Sequence, residues 1–253
     1  MAHRQLVAGT WPLLGENSFL SHGTAALLHG LPVWDGMLTT VSATREVGGH
    51  GRRARWLVVR QSPLAAAERV TIGDYRVTSL ERTAIDLARM VDFDKAVAIL
   101  DAALRLGAEP ALLAEIAAAA AGRKGAFVAR EALAFADRRA ESVGESVSRA
   151  RMLQVGLPVP ELQVEVFTPF GVWVARGDFG WRDKRVIGEF DGKVKYTGPP
   201  AEVADAVMRE KAREQAIRDA GWWVVRWTWK DLASPSAFRQ RIEAAFRAAE
   251  LLP

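Results

Sequence analysis

The first third of the chain alternates short apolar segments with turn-forming residues. This pattern predicts a short helix around residues 24–30 and three strands, at 38–42, 55–60 and 75–77. The sequence therefore predicts a mixed α/β fold for this part of the chain.

Helical spacing begins after residue 77. Thr78 and Glu81 match a capping box, and the apolar positions that follow recur every three or four residues, as on a helix with one buried face. Two further helices are predicted over 94–106 and 110–121. We interpret these helices as scaffold.

The glycines at 122 and 125 mark the predicted junction between two domains, 1–125 and 126–253. The pattern of the second domain predicts a helix, three strands, a helix, a strand and a helix, in that order. The predicted bounds are 143–156 for the first helix, 162–168, 172–181 and 185–191 for the three strands, 201–220 for the second helix and 222–229 for the last strand. The predicted fold class is α/β, of the α+β type.

Composition narrows the class of function. The chain has 253 residues, of which 49% are apolar and 25% are charged, as in ordinary globular proteins. Cysteine is absent, which excludes disulfides, thiolate zinc sites and cysteine nucleophiles. The net charge of +4 allows an anionic partner without indicating one. Because no apolar segment reaches the length of a membrane span and the start does not read as a signal peptide, we expect a cytoplasmic protein without membrane contact.

Three carboxylates are predicted to converge on the hairpin formed by 172–181 and 185–191. A short connection between these strands places Asp178 directly opposite Glu189, with side chains about 4.5 to 5.5 Å apart. Asp191 shares the face of Glu189 because side chains alternate along a strand. Like charges in this arrangement destabilise a sheet unless a cation lies between them.

The hairpin therefore predicts a site for a hard divalent cation such as Mg²⁺, which takes one or two carboxylates together with water and phosphate oxygens. Lys193 and Lys195 follow closely enough to stabilise charge on a phosphate or to orient a water. The alternative is a solvated surface network, in which Arg176 and these two lysines pair with the acids. A shift of the register by one residue would also move Asp178 off the shared face.

The second domain carries a set of motifs around this hairpin. They are Glu145 on a helix, Gln163 on the first strand, Gly177-Asp178-Phe179, Gly188-Glu189-Phe190-Asp191-Gly192, Lys195-Tyr196, Glu210-Lys211-Ala212-Arg213-Glu214 and the run from Gly221 to Trp227. Over residues 137–232 these motifs resemble the PD-(D/E)XK nuclease superfamily, and within it the very-short-patch-repair-like branch. The resemblance implies a restriction-endonuclease-like domain with a central mixed sheet flanked by helices.

The resemblance also implies a catalytic centre that binds Mg²⁺ or Mn²⁺ through three acids. The corresponding positions are Glu145, Asp178 and Glu189. In that superfamily a lysine two residues after the last acid handles the attacking water, and here Asp191 holds its position. Lys193, Lys195 and a metal-bound hydroxide are the alternatives for this step.

Each of the supporting residues has a simpler interpretation. Ser142 and Glu145 match a second capping box, so the glutamate could bond only to its own helix start. Gln163 could be an ordinary exposed strand residue rather than a nucleic-acid contact. Arg213 and Arg218 could contact phosphates or form i,i+4 pairs on a solvated helix. The four tryptophans of the last strand are expected in the core rather than stacked on bases.

The first domain resembles a different family. The segments Ser21–Leu31, Val77–Ala88 and Leu100–Arg105 are similar to the AbiEi-type antitoxin of type IV toxin–antitoxin systems, over residues 17–107. In that family an N-terminal winged helix binds operator DNA, and the remainder opposes a nucleotidyltransferase toxin. Because so few residues precede the matching block, we expect the winged helix to be largely missing. The resemblance also implies a protein partner for this domain.

Two residue pairs in the first domain have helical spacing. His22 and His29 lie two helical turns apart, on one face, and capping or core contacts are favoured over metal binding because no third ligand is close in sequence. Arg82 and Asp86 are an i,i+4 pair that we interpret as a structural ion pair.

Two functions from different classes follow. The first is a Mg²⁺-dependent DNA endonuclease that hydrolyses phosphodiester bonds, in DNA repair or phage defence. The second is a non-catalytic nucleic-acid-binding regulator or an antitoxin of a type IV system. The acids expected at the centre favour the nuclease, because a protein without catalysis has no chemical need to keep all three. Further contacts to DNA are expected from a predicted loop cluster, with a solvated turn as the alternative. That cluster is Arg52, Arg53 and Arg55.

Overall fold

A computed structural model of the protein describes residues 2–46, 51–192 and 200–251, with the backbone alone at 200–207. The chain divides into two compact units, Met1–Arg138 and Arg139–Pro253. Each unit combines helices with a sheet that contains both parallel and antiparallel pairs. The predicted mixed α/β class, of the α+β type, is confirmed.

The first unit contains six strands and six α-helices within the described residues. They are α1 (Ala2–Thr10), β1 (Ser18–Leu20), α2 (His22–His29), β2 (Val41–Arg45), β3 (Arg52–Ala54), β4 (Leu57–Gln61), β5 (Arg69–Ile72), β6 (Tyr75–Thr78), α3 (Leu80–Ala88), α4 (Phe93–Arg105), α5 (Pro110–Ala119) and α6 (Ala126–Phe135). The sheet has the order β3-β4-β2-β1-β6-β5.

The centre of this sheet is buried. Leu20, Val41, Ala43 and Val77 have no exposed surface and form one core with apolar residues of α1 and α2. Val41 to Thr44 are buried without alternation, which is typical of a strand covered on both faces.

Helix α6 belongs to the first unit, although the glycines before it are the predicted junction. Ala129 and Ala132 are buried, and the Phe135 ring lies 6.0 Å from the Phe93 ring of α4. The buried face of α6 packs within the first unit, so the division between units follows this helix instead of preceding it.

The predicted capping box at the start of α3 is wrong. Ser79, rather than Thr78, is the N-cap, and its Oγ accepts a hydrogen bond from the backbone N–H of Arg82 at 3.2 Å. The carboxylate of Glu81 instead accepts from the backbone N–H of Glu109 at 3.1 Å. The glutamate thus connects two segments of the helical region.

The second unit follows the predicted order of elements, with a last helix after the final strand. Its described elements are α7 (Val143–Gln154), β7 (Glu161–Phe167), β8 (Trp173–Trp181), β9 (Val186–Phe190), α8 (Pro200–Asp219), β10 (Trp223–Trp227), α9 (Trp229–Leu232) and α10 (Pro235–Ala249). The sheet order is β10-β9-β8-β7, in which only the β10–β9 pair is parallel.

Of the four tryptophans expected in the core around the last strand, three are buried or half-buried and one is exposed. Trp227 is 1% exposed, and its Nε1 donates a hydrogen bond to Oγ of Ser148 at 2.8 Å. Trp222 is also buried, and Trp223 is half-buried. Trp229 is 44% exposed at the start of α9, because the chain has already left the sheet.

Among the described residues, no helix combines the length and the apolar character that crossing a lipid bilayer requires.

Candidate functional site

The hairpin of β8 and β9 has the predicted register. Phe179 pairs with Gly188 and Gly180 pairs with Ile187, which places Asp178 opposite Glu189. The connection is a single 3₁₀ turn, in which Arg185 takes a left-handed conformation. The sheet therefore brings two carboxylates to one surface, as the sequence predicts.

Asp178 lies in a setting that disfavours its charge. Burial raises the pKa of Asp178 to about 6, and the negative charges of Glu145 and Glu189 act in the same direction. The opposing effects are a hydrogen bond of 2.9 Å, from the backbone N–H of Phe190 to Oδ2, and the charge of Arg213. The three acids are thus close enough to influence one another electrostatically.

Glu145 is fixed at the start of α7. Ser142 caps this helix, and its Oγ accepts from the backbone N–H of Glu145 at 3.1 Å. Oε2 of Glu145 accepts hydrogen bonds from the backbone N–H of Glu141 and from Nε2 of Gln163, both at 2.9 Å. The residue is 6% exposed. Glu145 therefore binds the backbone beside its own helix start and also reaches the sheet.

Gln163 connects the helix to the hairpin. It lies on β7 between Leu162, which pairs with Phe179, and Val164, which pairs with Gly177. Its φ of 55° places it in the left-handed region, which non-glycine residues rarely adopt. Its amide holds a carboxylate, so the structure places it as a partner of Glu145.

Both carboxylate oxygens of Glu189 accept hydrogen bonds from arginines. Nη2 of Arg213 lies 2.6 Å from Oε1, and Nε of Arg226 lies 2.8 Å from Oε2. The Glu189 side chain is 12% exposed, against about a third for each arginine. The repulsion expected between Asp178 and Glu189 is therefore partly compensated by protein cations.

Arg226 also lies at the candidate site, where the sequence does not predict it. It lies beside Glu189 in the parallel β10–β9 register, and its guanidinium also pairs with Glu210 and Glu214 of α8. The sequence feature that could have indicated this residue is a single charge within the apolar strand Trp223–Trp227. A charge at such a position needs a partner on the neighbouring elements.

An open cavity of about 300 Å³ lies over Asp178, Glu189 and the two arginines, whereas Glu145 and Gln163 do not line it. Its lining residues are Asp178, Glu189, Phe190, Asp191, Glu210, Arg213 and Arg226. The cavity thus contains acids and arginines side by side. Among the described residues, no group of three or more His, Asp or Glu side chains has an arrangement suited to holding a metal ion.

Comparison with known proteins identifies relatives from one organism. Two proteins of Mycobacterium tuberculosis, MT2308 of strain CDC 1551 / Oshkosh and Rv2248 of strain ATCC 25618 / H37Rv, are each 35% identical over 214 residues. The match covers 84% of this chain and 74% of each relative. Both relatives are described as uncharacterized.

The chain belongs to this mycobacterial family. The matched length exceeds the 138 residues of the first unit, so family members share parts of both units. No family model matches the chain, and no solved structure matches it.

Four further predicted site residues are Lys193, Lys195, Arg213 and Arg218. Lys193 and Lys195 lie outside the described residues. Arg218 forms the predicted i,i+4 ion pair, with Glu214 at 2.7 Å. Its guanidinium also lies 5.5 Å from the Trp223 ring. The structure brings Arg213, but not Arg218, to the cavity.

Two of the three arginines of the predicted loop cluster lie on a strand, so the predicted loop is wrong for Arg52 and Arg53. Arg52 and Arg53 belong to β3 and pair with Val59 and Val58 of β4, which directs their side chains to opposite faces. Arg55 lies in the turn after the strand, 4.5 Å from the Trp56 ring. The side chains of Arg52 and Arg53 therefore do not share one face of the sheet.

The helical pairs of the first unit make structural contacts. His29 shares a hydrogen bond of 2.8 Å with the carbonyl of Thr78, and Nδ1 of His22 lies 2.9 Å from Oγ of Ser21. Nε of Arg82 donates to Oδ2 of Asp86 at 2.8 Å, so the predicted ion pair is confirmed.

Proposed function

We propose that the protein is a metal-dependent DNA endonuclease that hydrolyses phosphodiester bonds and that its second unit carries the reaction. The observation that supports this most is the position of Asp178. This acid lines an open cavity, faces Glu189, and has its pKa raised to about 6 by burial and by neighbouring acids. A carboxylate in such a setting is stabilised by a bound cation more than an isolated surface acid would be.

The donor set fits a hard divalent cation in part. Oδ1 of Asp178 and Oε1 of Glu145 have no hydrogen-bond partner among the described residues, whereas both oxygens of Glu189 are engaged by arginines. Mg²⁺ and Mn²⁺ bind oxygen ligands, and Mg²⁺ often uses one or two protein carboxylates with water and phosphate oxygens. Asp178 and Glu145 are therefore the residues that would hold the ion. When bound, it would polarise the scissile phosphate and lower the pKa of a bound water.

The arginines of the cavity would position the substrate. Arg213 and Arg226 are each about one-third exposed, so a phosphate group can reach them. A phosphodiester is an alternative acceptor for the hydrogen bonds that Glu189 now receives. Glu189 would hold the two guanidinium groups in place before substrate binds and compete with the phosphate for them.

Gln163 would act as a positioning residue. Its amide donates to one oxygen of Glu145 and leaves the other without a protein donor among the described residues. The hydrogen bond from the Gln163 amide thus orients the Glu145 carboxylate, so that its second oxygen could bind a metal ion. Asp191 lines the same cavity. For the activation of the attacking water, the alternatives are Lys193, Lys195 and the ion that the acids would hold.

The arginines around Glu189 favour a second candidate function, a non-catalytic nucleic-acid-binding regulator or antitoxin. An acid that already accepts from two guanidinium groups has little electrostatic need for a metal. In that case the cavity would grip a phosphate backbone through Arg213 and Arg226 without cleaving it. The first unit would then bind a protein partner. For either function we expect the protein to bind DNA in the cytoplasm.

Cleavage assays with the full chain separate the two functions. Labelled single-stranded, duplex and mismatched DNA, with RNA of the same sequence, are incubated with Mg²⁺, Mn²⁺ or chelator. Asp178→Asn is the test variant. Asp183→Asn is its matched control, because Asp183 lies in the turn of the same hairpin with a side chain that is 75% exposed.

The nuclease predicts metal-dependent cleavage by the parent and by Asp183→Asn, and none by Asp178→Asn. Cleavage by all three proteins in chelator would indicate a contaminant and count against the proposal. Binding of DNA without cleavage in any condition would support the regulator instead.

A further inference from the structure

The first unit contains a cavity of about 430 Å³ that is strongly cationic. Five of its lining side chains carry positive charge, and Asp86 is the one carboxylate among them. The cationic residues are Arg60, Arg82, Arg89, Arg123 and Lys124. We refer to this site as the arginine cavity. Its volume is within the range of small-molecule sites.

The ion pairs within the unit use two of these arginines. Arg82 donates to Asp86, to Glu68 at 2.8 Å and to Oγ of Ser62 at 2.8 Å, so its guanidinium is held by the fold. Arg89 donates to the other oxygen of Asp86 at 3.3 Å. Because both oxygens of Asp86 are engaged, no further acid that lines the cavity is left for the remaining cations.

Arg60 has a buried nitrogen atom whose hydrogen-bonding capacity is not used by the fold. Its Nη1 is buried and has no hydrogen-bond partner among the described residues, and the same holds for Oγ1 of Thr44 on the neighbouring strand. Thr44 and Arg60 pair directly in the β2–β4 register, and both line the cavity. Leaving a buried guanidinium nitrogen unpaired is unfavourable, because its water is lost without replacement. An anion in the cavity would supply the missing acceptor.

His22 supplies a neutral polar group at the same place. Burial lowers its pKa to about 4, with Arg60, Arg82 and Arg89 acting in the same direction and Asp86 opposing them. Its Nδ1 contacts Ser21, and its Nε2 has no partner among the described residues. The residue has a φ of 52°, a left-handed conformation that is unfavourable for a histidine and is often found at binding sites.

A smaller cavity of about 210 Å³ adjoins the first through shared residues. His22, Arg60 and Met90 line both cavities. The smaller one adds apolar side chains together with hydroxyl groups and one further cation; they are Met37, Val58, Leu87, Thr39, Thr40, Ser42 and Arg53. A ligand that fills both would have an anionic part near Arg60 and an uncharged part that combines apolar surface with hydrogen-bonding groups. Free phosphate would fill only the first.

We propose that the arginine cavity binds an organic phosphate of nucleotide size, with its phosphate on Arg60, Arg123 and Lys124 and its remainder toward the smaller cavity. Arg123 and Lys124 are exposed in the turn before α6, so they meet the phosphate from the solvent side. This site lies in the first unit and is independent of the nuclease proposed for the second.

The test is calorimetric titration of the full chain with adenosine 5′-monophosphate, pyrophosphate and adenosine. The main variant is Arg60→Met, which keeps an unbranched, flexible side chain and removes the charge and the hydrogen-bond donors. Arg130→Met is the matched control, since Arg130 is exposed on α6 and does not line the cavity. Lys124→Met is a second variant at an exposed position, where folding is not at risk.

The proposal predicts that the parent and Arg130→Met bind the nucleotide equally. Arg60→Met should bind at least about tenfold more weakly, and Lys124→Met by a smaller factor, as expected for loss of charge-assisted hydrogen bonds. Without ligand, Arg60→Met should melt at the same temperature as the parent or higher.

Weaker binding of pyrophosphate and of adenosine than of the nucleotide would support the proposal. Three results would overturn it. These are no binding of the nucleotide to the parent, equal binding of pyrophosphate and nucleotide, which would mean a site for inorganic anions, and undiminished binding by Arg60→Met and Lys124→Met, which would place the nucleotide outside this cavity.

Discussion

Nη2 of Arg213 lies 2.6 Å from Oε1 of Glu189, so an arginine occupies an oxygen that a cation at the acidic cavity would otherwise use. The same guanidinium also donates to the backbone carbonyl of Arg176 at 2.9 Å. Arg213 therefore connects α8 to two strands of the sheet and, at the same time, places a positive charge beside Asp178. On the proposed function, a metal ion and this arginine would compete for one group of acids.

We expect Arg213→Met to bind Mg²⁺ more tightly than the parent, by about tenfold, because a repulsive charge is removed and Oε1 of Glu189 is freed. Metal-dependent shifts of the melting temperature measure the effect. Arg218→Met is the control, since Arg218 lies on the same helix and pairs with Glu214 away from the cavity. Unchanged or weaker Mg²⁺ binding by Arg213→Met would argue against the acids as metal ligands.

Asp178 should make the stability of the second unit depend on pH. Its folded-state pKa of about 6 is above the usual 3.8, so the folded protein holds this proton more tightly than the unfolded chain. The stabilisation by this proton is fully present below pH 3.8 and is lost as the pH rises through 6. The folded state then carries a penalty of up to about 3 kcal/mol from the charged form.

Asp178→Asn should remove this dependence. The amide oxygen of asparagine can still accept from the N–H of Phe190, so we expect the variant to be more stable than the parent above pH 6 and similar to it near pH 4. Urea unfolding between pH 4 and 8, followed by tryptophan fluorescence, measures the difference. The exposed Asp183→Asn should follow the parent at every pH. A parent whose stability rises between pH 4 and 6 relative to Asp178→Asn would contradict the assignment.

The sequence predicts the longer elements well because their patterns are long. The second unit follows the predicted order, and the turn length was sufficient to give the β8–β9 register. Strands β1, β3 and β5 were not predicted, since three or four residues are too few to show alternation. Helix α6 was separated from its unit because its glycine-rich start resembles a linker.

The candidate site was predictable in its acids but not in their partners. Asp178 and Glu189 meet through local strand pairing, which depends on a few residues of sequence. Their partners Arg213 and Arg226 come from α8 and β10, so long-range packing decides which cation reaches which acid. The arginine cavity was not predicted for the same reason, since its residues come from distant parts of the first unit.

Gly144 should be intolerant of any side chain. A Cβ at this position would lie 1.9 Å from the ring of Phe190, whose backbone N–H binds Asp178. Gly144→Ala must displace this ring, and we expect a loss of about 1 to 3 kcal/mol in the free energy of unfolding. We also expect weaker Mg²⁺ binding, because Phe190 lies beside Glu189.

Gly192→Ala is the matched control for this substitution. Its added Cβ would meet the same ring at 3.6 Å, an ordinary contact, so the change in stability should stay within about 0.5 kcal/mol. Denaturant unfolding of both variants gives the comparison. Equal stability of the two would mean that Phe190 moves without cost and that it does not hold the acids in place.

His22 should make the first unit sensitive to acid. Burial lowers its pKa from 6.5 to about 4, so the folded state favours the neutral ring. This contribution to stability is fully present above pH 6.5 and is lost as the pH falls toward 4, by up to about 3 kcal/mol. The effect of pH on stability is opposite in direction to that of Asp178, over nearly the same range of pH.

His22→Asn should remove the acid sensitivity, since asparagine tolerates the left-handed conformation at φ 52°. Titration of the His22 ring protons by NMR measures the pKa directly, and a midpoint near 6.5 would show that the ring is hydrated and that the arginines around it do not act on its charge.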